Sequence, residues 1–136
     1  MSAVTELIRT EQDGALSFGN HTLDAKAKVE DYACAGNLYK VKTFKEMTKL
    51  ERDGMFVYES VPGTSVNSFS ATKDGVSFTV CGNEDAMITV GLKEDTEYDV
   101  WVKNKNIGRM KTNLGGKLNI SVELEGEGEI QVRIAE

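Results

Sequence analysis

Few side chains in this sequence carry chemistry. There is one histidine, His21, beside a Gly19-Asn20 turn, and there are two cysteines, Cys34 and Cys81. A thiol paired with an imidazole would give a nucleophile and its base. No local signature joins His21 to either cysteine, so His21 reads as a surface residue next to a turn. The cysteines have neither a metal nor a redox spacing. In a reducing compartment they read as small buried hydrophobes, with an inter-strand disulfide as the alternative. Carboxylates are plentiful, at 22. Glycoside cleavage needs two of them ~5 to 9 Å apart. With this many acids some pair meets that condition by chance, so the count selects no pair. The acidic runs Glu94-Asp95 with Glu97, and Glu123 to Glu129, lack the spacing of a calcium loop and read as solvated turns. Gly115 and Gly116 follow Asn113-Leu114 with no phosphate-loop Lys-Ser/Thr behind them, so they read as a β-turn. The expectation is no catalytic residue, no metal and no cofactor.

Aromatic side chains are the better candidates for binding. Tyr39, Phe56, Tyr58 and Trp101 all fall on alternating runs. Trp101 is opposite in phase to Tyr98, Val100 and Val102, so it points away from the face they bury. An outward tryptophan can stack on a sugar, fill a subunit interface or pack beneath the N-terminal half. All three readings stay open. Met55 and Val57 likewise alternate with Phe56 and Tyr58. One domain of this size rarely buries both faces of several strands, so Trp101, Tyr58, Phe56, Met55 and Tyr39 are the candidates for an interface or a ligand.

The elements that must carry these residues are strands. In the stretch from Ala86 to Glu136, Leu118, Ile120, Val122 and Leu124 alternate with polar residues. Ile130, Val132 and Ile134 do the same, and so do Tyr98, Val100 and Val102. Turn formers separate the runs at Lys103 to Asn106, Asn113 to Gly116 and Glu125 to Gly128. This predicts a half-buried antiparallel meander whose core includes Val100, Val102, Leu118, Ile120, Val122, Val132 and Ile134. Upstream, Val4 to Thr10, Ala15 to Phe18, Met55 to Ser60, Val66 to Ser70 and Val76 to Val80 read as strands. Pro62 must break the run after Val61. Residues 24 to 34 fit either a capped helix or a strand leading through Ala35-Gly36-Asn37 into Tyr39, with two strands favoured. Thr43 followed by Glu46 fits a capping box, so one or two helical turns are expected at most over Phe44 to Thr48.

The chain has 136 residues, with 13 glycines against one proline. Its length suits a single domain, with an N-terminal hairpin half (1–83) and a C-terminal half (84–136) joined near Asn83. Lys plus Arg is 16 against 22 acids, a net charge of −6, which repels phosphate backbones and disfavours nucleic acid. Lys40, Lys42, Lys45 and Lys49 are interrupted by other residues, as are Lys103, Lys105, Arg109 and Lys111, so neither set reads as a basic patch. No window approaches the ~18 apolar residues of a membrane span. MSAVTELIRTEQDG has no run of signal-peptide length, so the cytoplasm is the expected compartment, with unconventional export left open.

Gly91-Leu92-Lys93-Glu94-Asp95-Thr96-Glu97-Tyr98-Asp99-Val100 resembles the tyrosine-corner segment of fibronectin type III and related sandwiches. The resemblance implies that Tyr98 buries its ring and bonds backbone at the corner. Tyr98, Val100, Val102, Thr112, Asn113, Gly116, Leu118, Ser121, Val122 and Leu124 resemble the pattern of C-terminal β-domains attached to some polysaccharide-active enzymes. Through LYKVKTFKEMTKLE, FVYESVPGT and MKTNLGGKLNISVEL, the whole chain is similar to a family of small uncharacterised bacterial β-proteins, some labelled endosialidase. That label implies glycan cleavage. A sialidase site gathers several arginines on the sugar carboxylate, whereas Arg9, Arg52, Arg109 and Arg133 lie one per segment. Thr72-Lys73-Asp74-Gly75-Val76-Ser77-Phe78 is one residue short of an Asp-box turn and reads as a hairpin.

The sequence therefore predicts an all-β antiparallel sandwich, Greek-key or jelly-roll-like. Its expected role is that of a non-enzymatic structural or assembly protein that forms a homo-oligomer. A carbohydrate-binding module is the alternative, and a glycan-degrading enzyme ranks behind both. The expected subunit contact uses the Met55 to Ser60 strand and the Trp101 face.

Overall fold

The alternating runs form strands throughout. A computed structural model describes residues 3–136 and contains thirteen β-strands and no helix among those residues. β1 (Ile8–Thr10) and β2 (Leu16–Phe18) make a hairpin. β3 (Ala27–Cys34), β4 (Asn37–Phe44), β5 (Met47–Arg52) and β6 (Met55–Val61) make a meander. β7 (Ser65–Thr72) and β8 (Gly75–Cys81) form a second hairpin, and β9 (Ala86–Gly91) follows. β10 (Glu97–Val102) and β11 (Lys105–Lys111) form a third hairpin, before β12 (Lys117–Val122) and β13 (Ile130–Ala135). One sheet runs β1-β2-β7-β8-β13-β10-β11 and the other runs β12-β9-β6-β5-β4-β3. Every pairing is antiparallel, so the fold is an antiparallel β-sandwich.

The expected C-terminal meander does not form. β9 and β12 pair with each other in the six-stranded sheet, while β10, β11 and β13 belong to the seven-stranded sheet. Alternation specifies which face of a strand is buried, and both inner faces of a sandwich demand the same alternation. It cannot distinguish pairing with the preceding strand from a crossing to the opposite sheet. The segments 92–96, 112–116 and 123–129 make those crossings, each long enough to span the ~10 Å between packed sheets. The halves 1–83 and 84–136 both contribute to both sheets, through β6–β9 and β8–β13.

Local departures have local causes. Residues 24–34 take the strand reading, with a bulge between Val29 and Tyr32 where Asp31 has φ 57°. The capping box at Thr43 is not used: Phe44 pairs with Met47, and Lys45-Glu46 is a two-residue turn. The Thr43 hydroxyl is buried and bonded to Thr48 Oγ1 at 2.8 Å. The first strand is shorter than Val4 to Thr10 because Leu7, at φ 74°, interrupts the extended backbone. After the cis Val61–Pro62 peptide the chain crosses between sheets against the β4–β5 turn. The approach there is so close that a Cβ at Gly63 would lie 1.9 Å from the Phe44 carbonyl oxygen.

The core lies between the sheets. Phe18, Tyr58, Phe69 and Phe78 form its aromatic centre, with Tyr58 5.2 Å from Phe18 and 5.7 Å from Phe78, both edge-on. Each such pair contributes ~0.5–1.5 kcal/mol beyond area burial. Val57 sits at a bulge: Leu50 faces Tyr58 and Glu51 faces Phe56, leaving Val57 unmatched. Val57 and Tyr58 are therefore both buried, and the second apolar face expected of this strand is largely absorbed by the core. Val100, Leu118, Ile120, Val122, Val132 and Ile134 are buried as predicted, while Val102 is half-buried. Tyr98 buries its ring, and its hydroxyl accepts the Lys93 backbone N–H at 3.2 Å. Ile120→Ala removes side-chain volume from a site that has little freedom to collapse, and should cost about 2–5 kcal/mol in urea unfolding. A loss below about 0.5 kcal/mol, the scale of a surface change, would mean that Ile120 faces solvent.

Candidate functional site

At one end of the sandwich the two sheets part. The β5–β6 turn lies on one side, the β7–β8 turn on the other, and the β9–β10 corner closes the back. The cleft between them has a volume of about 530 Å³. Val57, Phe69, Val76 and Tyr98 line its inner wall and are nearly inaccessible. Met55 stands at its lip, 69 % exposed, beside Arg52, Lys73 and Lys93. Lys93 pairs with Glu136 at 2.6 Å, which raises its pKa. Phe56 borders the cleft and faces outward, with the Lys117 ammonium 4.5 Å from its ring centroid. Gly91 beside it has no side chain because a Cβ there would meet the Phe56 carbonyl oxygen at 2.6 Å.

Trp101 lies on the outer face of the seven-stranded sheet. The expectation that it points away from Tyr98 and Val100 holds, but the N-terminal half does not cover it. Its cross-strand neighbour Arg133 lies over the indole, 4.1 Å from the centroid. Asn104 and Gln131 complete a shallow polar hollow around it. A cation held over an aromatic face is attracted by the ring's quadrupole, so one face of the indole already has a partner.

The other four candidates do not assemble with Trp101. Tyr39 is half-buried on β4, packed against the core beneath a shelf of Glu30, Asp31, Leu38, Lys40, Glu51 and Asp53. Tyr58 is fully buried, so it is a core residue and not a contact for a ligand or partner. Met55 and Phe56 belong to the end cleft. β6 lies inside the six-stranded sheet between β5 and β9, and β10 lies inside the other sheet between β13 and β11. The Met55 to Ser60 strand and the Trp101 face therefore belong to different sheets, and neither strand supplies an edge.

A second correction concerns His21, which is buried rather than at the surface. Its Nδ1 is 2.7 Å from Ser65 Oγ, and its backbone N–H donates to the same oxygen at 3.2 Å. Ser65 pairs across the ladder with Cys81, which is buried; neither Cys81 nor Cys34 forms a disulfide. A continuous set of buried hydroxyls lies alongside. Tyr58 Oη and Ser60 Oγ both meet Thr64 Oγ1, at 2.8 and 2.7 Å. Thr48 Oγ1 donates to the Thr64 carbonyl at 2.7 Å and accepts the Thr64 N–H at 3.1 Å. Burial pushes the Tyr58 phenol well above the usual range and outweighs the hydroxyl bonds to Thr64 and Ser60, which act in the opposite direction.

Among the described residues no group of three or more His, Cys, Asp or Glu is placed to hold a metal ion. No helix among them is long and apolar enough to cross a membrane. No family model, curated protein or solved structure matches this chain.

The cleft was not legible from sequence. Asp53-Gly54 and Lys73-Asp74-Gly75 announce turns, but only the sandwich topology brings the two turns to the same end. The burial of His21 had no sequence signal either, since the hydroxyl residues around it come from separate strands.

Desolvation lowers the His21 pKa below its ordinary value of about 6.5. The unfolded chain then binds the proton more readily, so stability is full above about pH 6.5 and falls as pH drops toward the folded pKa. His21 is the sole imidazole. The urea midpoint should therefore fall between about pH 7.5 and about pH 5.5, and His21→Gln should flatten that slope. An equal slope in both proteins would remove His21 as its cause.

Proposed function

We propose that this protein is a non-enzymatic assembly module that forms a homo-oligomer by joining the β12 edges of two copies. The carrying observation is the character of that edge. Of the four strands at sheet edges, β1 has three residues. β3 is bulged, and β11 combines a register shift with Gly108 at φ 132° and the cations Lys105, Arg109 and Lys111. These are the devices that blunt an edge against pairing. β12 has no bulge and a single cation, Lys117, at its start: its six residues pair with β9 in unbroken register.

Backbone direction supports one register. The Leu92 N–H donates to the Gly116 carbonyl, so Gly116 faces β9. Antiparallel alternation then turns the backbone groups of Leu118, Ile120 and Val122 toward β9, and those of Lys117, Asn119 and Ser121 away from it. Asn113 already occupies Lys117, accepting its N–H at 3.0 Å and donating to its carbonyl at 3.1 Å. Asn119 and Ser121 are left to pair. A two-fold axis through Ile120 sets Asn119 opposite Ser121 of the second copy, and so forms four N–H···O bonds. It also brings Lys117 opposite Glu123 of the second copy, twice, which favours this register electrostatically.

Light scattering at micromolar concentration should give a mass above 14.9 kDa. Ser121→Pro removes only an N–H that points away from β9, so it should yield a folded monomer. Glu123→Lys should weaken the dimer, and adding Lys117→Glu should restore it. A constant wild-type mass of one chain overturns assembly. An oligomer that survives Ser121→Pro overturns the choice of edge.

A carbohydrate-binding role is a second reading, favoured by the tryptophan set among Asn104, Gln131 and Arg133. A glycan array should then show a hit that Trp101→Ala abolishes. An empty array, or a hit indifferent to that change, removes this reading.

A further inference from the structure

We propose that the outer face of the six-stranded sheet is a second contact between copies of this chain, in which two such faces stack about a two-fold axis parallel to the strands. An exposed apolar row crosses that face near one end. Thr43, Thr48, Ser60 and Ile88 are buried in the interior, so their neighbours Phe44, Met47, Val61 and Met87 point outward. The register sets these four side by side on adjacent strands. Phe44 faces Met47, the Thr48–Ser60 pair brings Met47 beside Val61, and Val61 faces Met87. Val61 is 56 % exposed and Met87 is 48 % exposed. Apolar side chains in one contiguous row, unlike scattered single ones, mark an interaction surface.

The neighbouring outward row identifies the partner. From β3 to β12 it reads Lys28, Lys42, Lys49, Glu59, Thr89 and Asn119. Its cations lie on β3 to β5 and its one acid on β6. Lys49 lies 3.6 Å from Glu51, whereas Glu59 makes no ion pair among the described residues. A two-fold axis between β5 and β6 exchanges β5 with β6, β4 with β9 and β3 with β12. Met47 then meets Val61 of the second copy, and Phe44 meets its Met87. One row along, Lys49 meets Glu59 and Glu59 meets Lys49, while Lys42 and Lys28 meet the uncharged Thr89 and Asn119. The face is thus complementary to itself in both apolar character and charge, as a two-fold contact requires. An anionic membrane would be repelled by Glu59 and by the net charge of −6. A neutral apolar segment would leave Lys49 and Glu59 unanswered. Exposed ion pairs add little, so the contact is weak, with a Kd on the order of 0.1–1 mM, and is absent at the micromolar concentrations that test the β12 edge.

The full chain carrying Ser121→Pro isolates this contact from the edge. By sedimentation equilibrium its mass should rise from one chain at micromolar concentration toward two chains at about 1 mM. Over the same range the methyl resonances of Met47 and Met87 should shift, while that of Met55, at the end cleft, should not. Val61→Lys should hold the mass at one chain. Lys49→Glu, which sets like charges across the axis, should do the same, and adding Glu59→Lys should restore association. Circular dichroism melts of each variant separate lost contact from lost fold. A mass of one chain at about 1 mM overturns the proposal. So does association that survives Val61→Lys, or a double charge reversal that restores nothing. A wild-type mass of one chain at micromolar concentration is a different result: it overturns the β12 edge and leaves the face measurement intact.

Discussion

The sandwich depends on how it handles the polar backbone where the chain leaves one sheet for the other. At Pro62 to Thr64 the chain passes through the interior, and Thr64 is fully buried. A buried N–H or C=O without a partner costs ~1–3 kcal/mol. Here the ladder is interrupted, so side chains replace it. Thr48 bonds both backbone groups of Thr64, and Tyr58 and Ser60 bond its hydroxyl. Thr43 links the same group to the β2–β3 crossing by accepting the Asn20 N–H. One hydroxyl cluster thus serves two crossings between the sheets, and Tyr58 connects it to the aromatic core. The Tyr98–Lys93 bond, with Thr112 bonded to the Lys93 carbonyl at 2.6 Å, does comparable work at the β9–β10 corner.

Much of this was legible in the sequence where period and turn chemistry agree. The runs around Leu118 to Val122 and Ile130 to Ile134 place every aliphatic residue on the buried side. Asp53-Gly54 and Lys73-Asp74-Gly75 mark hairpins that form. Topology was less legible, because either inner face of a sandwich accepts the same alternation. The bulge at Val57 was hidden too: it puts two consecutive residues in the core, which a strict period of two assigns to opposite faces. Thr43 with Glu46 carries a genuine helix signal, overridden because the threonine hydroxyl is committed to Thr48 across a hairpin. The candidate site was the least legible part. Arg52 ends β5 and Lys73 lies on the β7–β8 turn, and nothing local says that both border one cleft.

The surface separates its charges by place. On the outer face of the six-stranded sheet, lysines and glutamates interleave: Lys40 meets Glu30 at 3.3 Å and Lys49 meets Glu51 at 3.6 Å. On the other sheet Arg109 bonds Glu97 and Asp99, at 3.1 and 3.0 Å. Such exposed pairs contribute little stability, but they neutralise the broad faces locally. The end cleft departs from this pattern: Arg52 and Lys73 make no ion pair among the described residues.

β13 occupies the middle of the seven-stranded sheet, between β8 and β10. During synthesis β8 and the β10–β11 hairpin are made long before the strand that joins them. Until residue 135 has cleared the ribosome, the inner edges of β8 and β10 have no ladder partner and the aromatic core lacks Ile130, Val132 and Ile134. The six-stranded sheet, by contrast, has all its strands once β12 is made. The nascent chain therefore carries one complete sheet and one divided sheet until β13 is made.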